Sequence, residues 1–534
     1  MKVDCDAVVI GAGHNGLVCA CYLAAAGLKV HVVERRHVVG GAAVTEELHP
    51  GFRNSTASYT VSLLNPTVIR DLRLAEHGLR VVERPFGNFL PLADGRSLAS
   101  GGSLEATQRE VAKFSTRDAE RLPEYLARIE RIADVLRDMV LQTPPNVGGG
   151  VADLVRAMKL GGDLKRLDMR SRRDLLELFA RSAGEVLDDW FESDPIKAVL
   201  GWDSVVGNYA SPYSPGSAYV QIHHAFGETN GKRGVWGHAI GGMGAITQAM
   251  AKEAAARGVQ VRTSAPVAKV LVSGGRARGV ALESGEEIRA HAVVANVGPK
   301  LLFLRLVDSA ALDPDFRERI TRFKAGSGTL RMNVALAELP DFVARPGTHA
   351  QPHHGSGIIL GPSLAYFDRA YKDARAGGWS REPIVEILIP STLDDSLAPR
   401  GQHVASLFCQ QFAPHLPGAA SWDDHREAAA NAAIDVVDRF APNFRRSILG
   451  MKILTPLDLE RELGLVDGDI FHGRLSLEQL FSARPVLGHG DYRSPIRGLY
   501  LCGSGAHPGG GVTGAPGHNA AREIAKDWRR GRLR

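Results

Sequence analysis

A short β-branched run, Ala7-Val8-Val9-Ile10, ends directly in Gly11-Ala12-Gly13-His14-Asn15-Gly16, and no other stretch narrows the possible folds so far. Leu17 to Ala26 follows as an Ala/Leu-rich helix closed by Gly27. A second strand, Lys29 to Val33, then delivers Glu34, 18 residues beyond Gly16 and 23 beyond Gly11. A bare glycine triplet is common by chance, but strand, triplet, helix, strand and acid in this order predict a βαβ dinucleotide-binding unit. Gly11 permits the tight turn, Gly13 lets the backbone approach a pyrophosphate, and Gly16 lets the helix pack closely on the strand. The helix start offers free N–H groups and positive potential to phosphates, and the Glu34 carboxylate can accept ribose hydroxyls.

A second signal lies at the far end of the chain. Leu499-Tyr-Leu-Cys502 is an apolar strand, and Gly503 to Gly517 after it contains seven glycines, with Ser504, Gly511, Val512 and Thr513 among them. His518 to Trp528 is Ala-rich and helical. This is another strand, loop and helix start presenting backbone N–H groups to an anion. Glycine makes up 59 of 534 residues, about 11% against an average of ~7%, which also suits a chain that approaches a cofactor closely.

After Glu34 the chain reads Arg35-Arg36-His37-Val38-Val39-Gly40-Gly41-Ala42, an arginine and glycine-pair extension that nicotinamide enzymes lack. With Ile10 to Leu17, Gly40 to Glu47, Ser211-Pro212, Pro215 to Tyr219, Trp236-Gly237, Gly241 to Gly244, Ile470 to Gly473 and Leu499 to Gly517, it resembles the phytoene desaturase-like FAD oxidoreductases. The resemblance touches the whole length, with few specific matches between 90 and 180. It implies an α/β fold: a Rossmann-like FAD-binding domain of the glutathione reductase/amine oxidase type, with an inserted α+β substrate domain and a helical cap. It implies FAD held by Gly11, Ala12, Gly13, His14, Asn15, Gly16, Glu34, Arg35, Arg36, Gly40, Gly41 and Ala42, by the Val267 backbone at the adenine, and by Gly503, Ser504, Gly511, Val512 and Thr513 at the flavin. Ala42 stands where amine oxidases often carry arginine. Disulfide reductases of the wider group have a CxxxxC pair here; Gly41 to Glu47 has no cysteine, so dithiol chemistry is excluded.

At 534 residues the chain exceeds one core and should divide. The expected layout is an FAD-binding part at 1–75, a helical substrate/cap region at 76–235, a second FAD-binding part at 236–300, a substrate domain with an antiparallel sheet at 301–480, and a third FAD-binding part at 481–534. Strand-like runs at 259–262, 267–272, 277–282 and 291–294 support the return to the first domain, and Ile384 to Ile389 and Val404 to Cys409 support the second sheet. Pro144 to Gly150 is a loop.

Sixty-four Lys and Arg against 59 Asp and Glu leave a net charge of +5, which makes nucleic acid a poor partner. Five scattered cysteines fit free thiols in a reducing compartment. No apolar run reaches the ~18 residues of a membrane helix, and a strand by Asp6 leaves no room for a signal peptide, so a cytoplasmic location is expected. Residues 151–174 are basic with Leu154, Met158, Leu164 and Leu167 along one face, a pattern that suits either an anionic membrane surface or a solvated cap helix. The Gly161-Gly162 interruption favours the latter.

The expected activity is hydride transfer from a small, largely apolar organic substrate to flavin N5, with electrons passed to oxygen, a quinone or another acceptor. The alternatives are a flavin-dependent double-bond isomerase without net redox and a flavin-bound regulatory or interaction protein. His507 is the one nearby candidate for a catalytic base. Trp236, Met243 and Phe471 are candidates for the cavity lining, and His223-His224 and His353-His354 are expected to be structural, with no metal spacing anywhere.

Overall fold

The strand Cys5–Ile10 is apolar on both faces and almost wholly buried, as a strand covered by helices on either side must be. In the computed structural model, which describes residues 3–347 and 349–533, it lies near the middle of a seven-stranded sheet. Val30–Val33 and then Gln260–Arg262 lie parallel on one side of it, and the second half of Glu287–Ala295 lies parallel on the other, followed by Leu499–Leu501. The first half of Glu287–Ala295 pairs instead with Arg276–Leu282, which pairs with Val267–Ser273 in an antiparallel meander. The carboxyl ends of the parallel strands, at Ile10, Val33, Ala295 and Leu501, therefore share one edge, where an open α/β sheet places its ligand.

The helices His14–Ala25 and Ala515–Arg529 come from opposite ends of the chain and pack on each other. The approach depends on Gly517, where an added Cβ would lie 2.2 Å from the Asn15 carbonyl oxygen. Gly16 makes the corresponding approach to the fingerprint turn, with a Cβ there 2.2 Å from the Gly11 carbonyl oxygen.

A second seven-stranded sheet has the order Ile448–Leu454, Thr329–Leu336, His403–Phe412, Trp379–Leu388, Gly357–Leu360, Asn88–Pro91, Ser97–Ser100. All neighbours are antiparallel except Gly357–Leu360 with Asn88–Pro91. The helix Trp422–Phe440 covers one face through Ala429, Ala433, Ile434 and Val437. The other face, through Ile359, Ile384 and Phe408, meets cap helices that include Ala183–Trp190 and Asp194–Gly201.

Three sequence expectations need correction. Residues 76–235 are not purely a helical cap, because Asn88–Pro91 and Ser97–Ser100 join the second sheet; four residues each are too few for a visible alternation. Residues 301–322 belong with the first core rather than the substrate sheet, since Leu302, Phe303, Val307, Phe316 and Ile320 pack into it. Gly161 and Gly162 interrupt nothing: the helix Val151–Arg166 runs through both, without a single buried residue. Its Val151, Leu154, Val155 and Met158 are 80%, 60%, 59% and 68% exposed. Among the described residues no helix is long and apolar enough to cross a membrane.

Candidate active site

Two adjoining cavities open at the shared strand edge. The larger, about 1500 Å3, runs from Glu34 and Val267 past Gly11, Gly13 and Gly41 to His472 and Ser504. Arg35, Arg36, His14 and Ala42 line it too. Glu34 is 7% exposed and firmly placed: Oε2 accepts the Ala12 N–H at 2.8 Å and Oε1 the Arg36 N–H at 2.9 Å. Each oxygen keeps acceptor capacity towards ribose hydroxyls. Gly40 holds φ +128 and Gly41 φ +56, and a Cβ at Gly40 would strike the Ala43 carbonyl at 2.7 Å, so the pair can pass beside Gly13 only as glycine. Ala12, Asn15, Gly16 and Gly40, also expected at the cofactor, line neither this cavity nor its neighbour.

The two Gly-rich ends meet through side chains as well. Asn15 Nδ2 donates to Ser504 Oγ at 3.1 Å across 489 residues of sequence. Asn296, which the sequence analysis did not single out, is the hub: its Nδ2 donates to the Gly11 carbonyl at 3.2 Å, and a Cβ at Gly13 or Gly503 would lie 2.9 or 3.1 Å from its side chain. Its place at the end of an apolar parallel strand was the available signal. Arg305, Glu460 and residues 463–466, which also line this cavity, had none.

The fit to a dinucleotide rests on polar atoms left without a partner. His14 Nε2, Asn15 Oδ1, Arg36 Nη1 and His472 Nδ1 are buried and unbonded around the cavity, and such atoms are costly unless a ligand meets them. Burial holds the His14 pKa down to about 3 and His472 to about 4, so both stay neutral. The residues present fit FAD.

The second cavity, about 900 Å3, shares His14, Ala42, Ile470 and Ser504 with the first and continues between the two sheets. Gly511 and Val512, expected at the flavin, border this second cavity and not the first, and Gly503 and Thr513 line neither. Leu63, Trp202, Val206, Trp236, Phe408 and Phe471 give it a mainly apolar wall. Trp236 and Phe471 were anticipated; Met243 is instead buried, its N–H on Ser55 Oγ at 3.0 Å. His224, expected to be structural, lines the cavity as a neutral imidazole with its pKa held to about 4 by burial. Tyr59, Arg84, Asp203 and Glu386 bring polar groups that no motif marked.

His507 is not brought to either cavity. Its Nε2 is bonded to the Met139 carbonyl at 3.0 Å, its ring meets Phe481 edge-on, and its own carbonyl accepts from Tyr492 Oη at 3.0 Å. The ring is thereby turned into the packing under the cap helix Thr116–Val140, and burial lowers its pKa to about 4. The tertiary structure does bring two remote thiols together, Cys19 against Cys502, but both are fully buried and burial raises the Cys19 pKa far above that of a free thiol. That removes the thiolate that dithiol exchange requires.

Residues 16–329 match the family model for flavin containing amine oxidoreductases, and residues 234–438 match that for FAD dependent oxidoreductases. The chain is 43% identical to pyridine nucleotide-disulfide oxidoreductase domain-containing protein 2 of Rattus norvegicus, with 99% of this chain and 94% of the relative covered. It is 26% identical to a lycopene-forming phytoene desaturase of a Paracoccus species, with 96% and 95% covered. An oxidoreductase from Methanosarcina mazei shares the fold, with a TM-score of 0.61 at 15% identity over 98% of this chain and 100% of that one. With this architecture, a cavity that fits FAD and these matches, the chain belongs to the flavin containing amine oxidoreductase family and is a phytoene desaturase-like FAD-dependent oxidoreductase.

Proposed function

We propose that the chain dehydrogenates a C–C or C–N bond of an organic substrate whose body is mainly apolar and lies in the 900 Å3 cavity. The observation that carries this reading is the junction of the two cavities at His14, Ala42, Ile470 and Ser504, which leaves a substrate in one directly against a cofactor in the other. Bound FAD supplies the two-electron acceptor. The chain's own part is to bind and to orient: Glu34 would hold the ribose, the N–H groups around Gly13 would hold the pyrophosphate, and Ser504, at the junction of the two cavities, would adjoin the flavin. Trp236, Phe408 and Phe471 hold the substrate body and exclude water. The desaturase relative supports dehydrogenation.

The test is anaerobic mixing with hydrocarbon, acid and amine candidates while the yellow absorbance is followed. Bleaching with formation of a more unsaturated product supports the reading. A shifted double bond without bleaching identifies an isomerase instead, and a colourless protein that binds no added FAD overturns both.

Electrons then leave to oxygen, a quinone or another acceptor. The helix Val151–Arg166 supports an acceptor reached at a membrane surface, since it exposes Val151, Leu154, Val155 and Met158 beside Lys159, Lys165 and Arg166. Co-sedimentation with anionic but not neutral vesicles, lost on Leu154→Glu with Met158→Glu, would support it. Equal behaviour of both lipid types and the variant would remove it.

A further inference from the structure

The wall of the 900 Å3 cavity carries charged groups as well, Arg84, Asp203 and Glu386. Arg84 lines it and is fixed from two sides: its N–H donates to the Trp236 carbonyl at 3.1 Å and its guanidinium lies 5.6 Å from the Trp236 ring centroid. Its one side-chain hydrogen bond among the described residues goes to Thr60 Oγ1. Glu386, on the same cavity wall, attracts both this guanidinium and Arg331 but forms no direct ion pair with Arg84 among the described residues; its Oε2 accepts from Tyr59 Oη at 2.5 Å. A second cation, Arg331, is fully buried behind Tyr59, 4.6 Å from that ring centroid and 5.4 Å from that of Phe408. It donates to the Leu407 carbonyl at 2.7 Å and Ser406 Oγ at 2.5 Å and likewise forms no ion pair among the described residues.

The remaining titratable groups do not offset these charges. His14 and His224 are neutral, and Asp203, pushed up to about 8 by burial and by Glu386, is largely protonated at neutral pH. Two guanidiniums thus face at most one carboxylate. A guanidinium with spare donors in an apolar-walled cavity is costly to keep unless an anion fills its fork.

We propose that this part of the cavity wall is a carboxylate-binding subsite centred on Arg84, so that the substrate is an amphipathic organic acid rather than a hydrocarbon or an amine. The apolar body lies along Trp202, Phe408 and Phe471, the acid group meets Arg84 and Thr60, and Arg331 adds positive potential through Tyr59. A cationic amine at the same place would meet two guanidiniums. The inference rests on the reading of this cavity as the substrate site.

Octanoate, octanamide and octylamine share one chain and differ in charge, and their binding to the FAD-loaded protein can be read from the flavin absorbance and by titration calorimetry. Octanoate should bind at least ~10-fold more tightly than octanamide, the ratio for one charge-assisted hydrogen bond, and octylamine more weakly than either. Arg84→Gln should abolish the preference for octanoate while octanamide binding changes by less than about threefold, and Arg84→Lys should keep part of it. Equal binding of the three, a preference that survives in Arg84→Gln, or no binding of any by the wild type overturns the proposal. FAD content is measured separately: a protein without FAD would sink the oxidoreductase reading, whereas calorimetry would still report the ranking. Should Arg84→Gln not fold, the wild-type ranking and Arg84→Lys decide.

Discussion

Replacing Gly517 by alanine adds a single methyl group outside both cavities, yet it should loosen FAD. The new Cβ would stand 2.2 Å from the Asn15 carbonyl oxygen, 3.0 Å from that carbonyl carbon and 3.1 Å from the Cys19 nitrogen, all of them backbone atoms of the first helix. Ordinary carbon to oxygen contact needs about 1 Å more, and backbone cannot rotate aside, so the two helices must separate. Overpacking of this kind costs about 1–3 kcal/mol, whereas the helix-propensity gain of alanine over glycine is at most about 1 kcal/mol, so the steric term wins. Separation also draws Asn15 from Ser504, whose 3.1 Å bond joins the two Gly-rich loops at the cofactor cavity. Gly162→Ala is the control: nothing lies within 4 Å of its Cβ on the exposed helix Val151–Arg166, so the same substitution there should stabilise by up to about 1 kcal/mol. Thermal unfolding, followed by circular dichroism and by release of fluorescent flavin, should show a lower transition and earlier FAD loss for Gly517→Ala and a slightly higher transition for Gly162→Ala. Wild-type unfolding and FAD retention in Gly517→Ala would refute the packing argument.

The pKa of Asp203 is raised to about 8 against about 3.9 unfolded, so the native state holds its proton more tightly and stability should fall as pH rises from about 4 to about 8. Asp203→Asn should flatten that decline by up to ~1.4 kcal/mol per pH unit in denaturant titrations, while Glu386, also raised by burial, keeps a slope of the same sign. A profile unchanged in Asp203→Asn would show the carboxyl to be solvated. His507→Ala should keep FAD and reduce flavin within about threefold of the wild-type rate, since the ring lies outside the cavity; a ~100-fold slower reduction would restore it as the base. Glu34→Ala removes the acceptor for two backbone N–H groups and the ribose, and should weaken FAD binding about 10- to 100-fold by equilibrium dialysis; undiminished binding would contradict the assigned ribose contact. All five cysteines are buried, with Cys5, Cys21 and Cys409 raised to about 12, so a thiol reagent should label none in the native protein and all five in denaturant; rapid labelling of one native thiol would refute this.

What the amino-acid order determined by itself is local. The turn from Ile10 through Gly16, the helix behind it and Glu34 are contiguous, and their φ angles, hydrophobic period and acid lie within one βαβ unit that must close in one way. The runs near 267, 277 and 291 showed their strands because each is rich in Val and Ala and bounded by turn residues, and Val259 to Arg262 did so by alternating apolar with polar residues. Tertiary structure decided whatever joins remote segments. Asn296 became a hub only when its strand paired beside Cys5–Ile10, and Arg84, Glu386 and Tyr59 share a cavity only because the second sheet folds over the first domain's edge. His507 looked catalytic from its Gly-rich neighbours, but rotation of one residue in a loop is set by packing, and Met139, 368 positions away, claimed the imidazole. Composition and period constrain a segment's conformation and burial; the meeting of side chains across 300 or more residues depends on a packing geometry that no local pattern encodes.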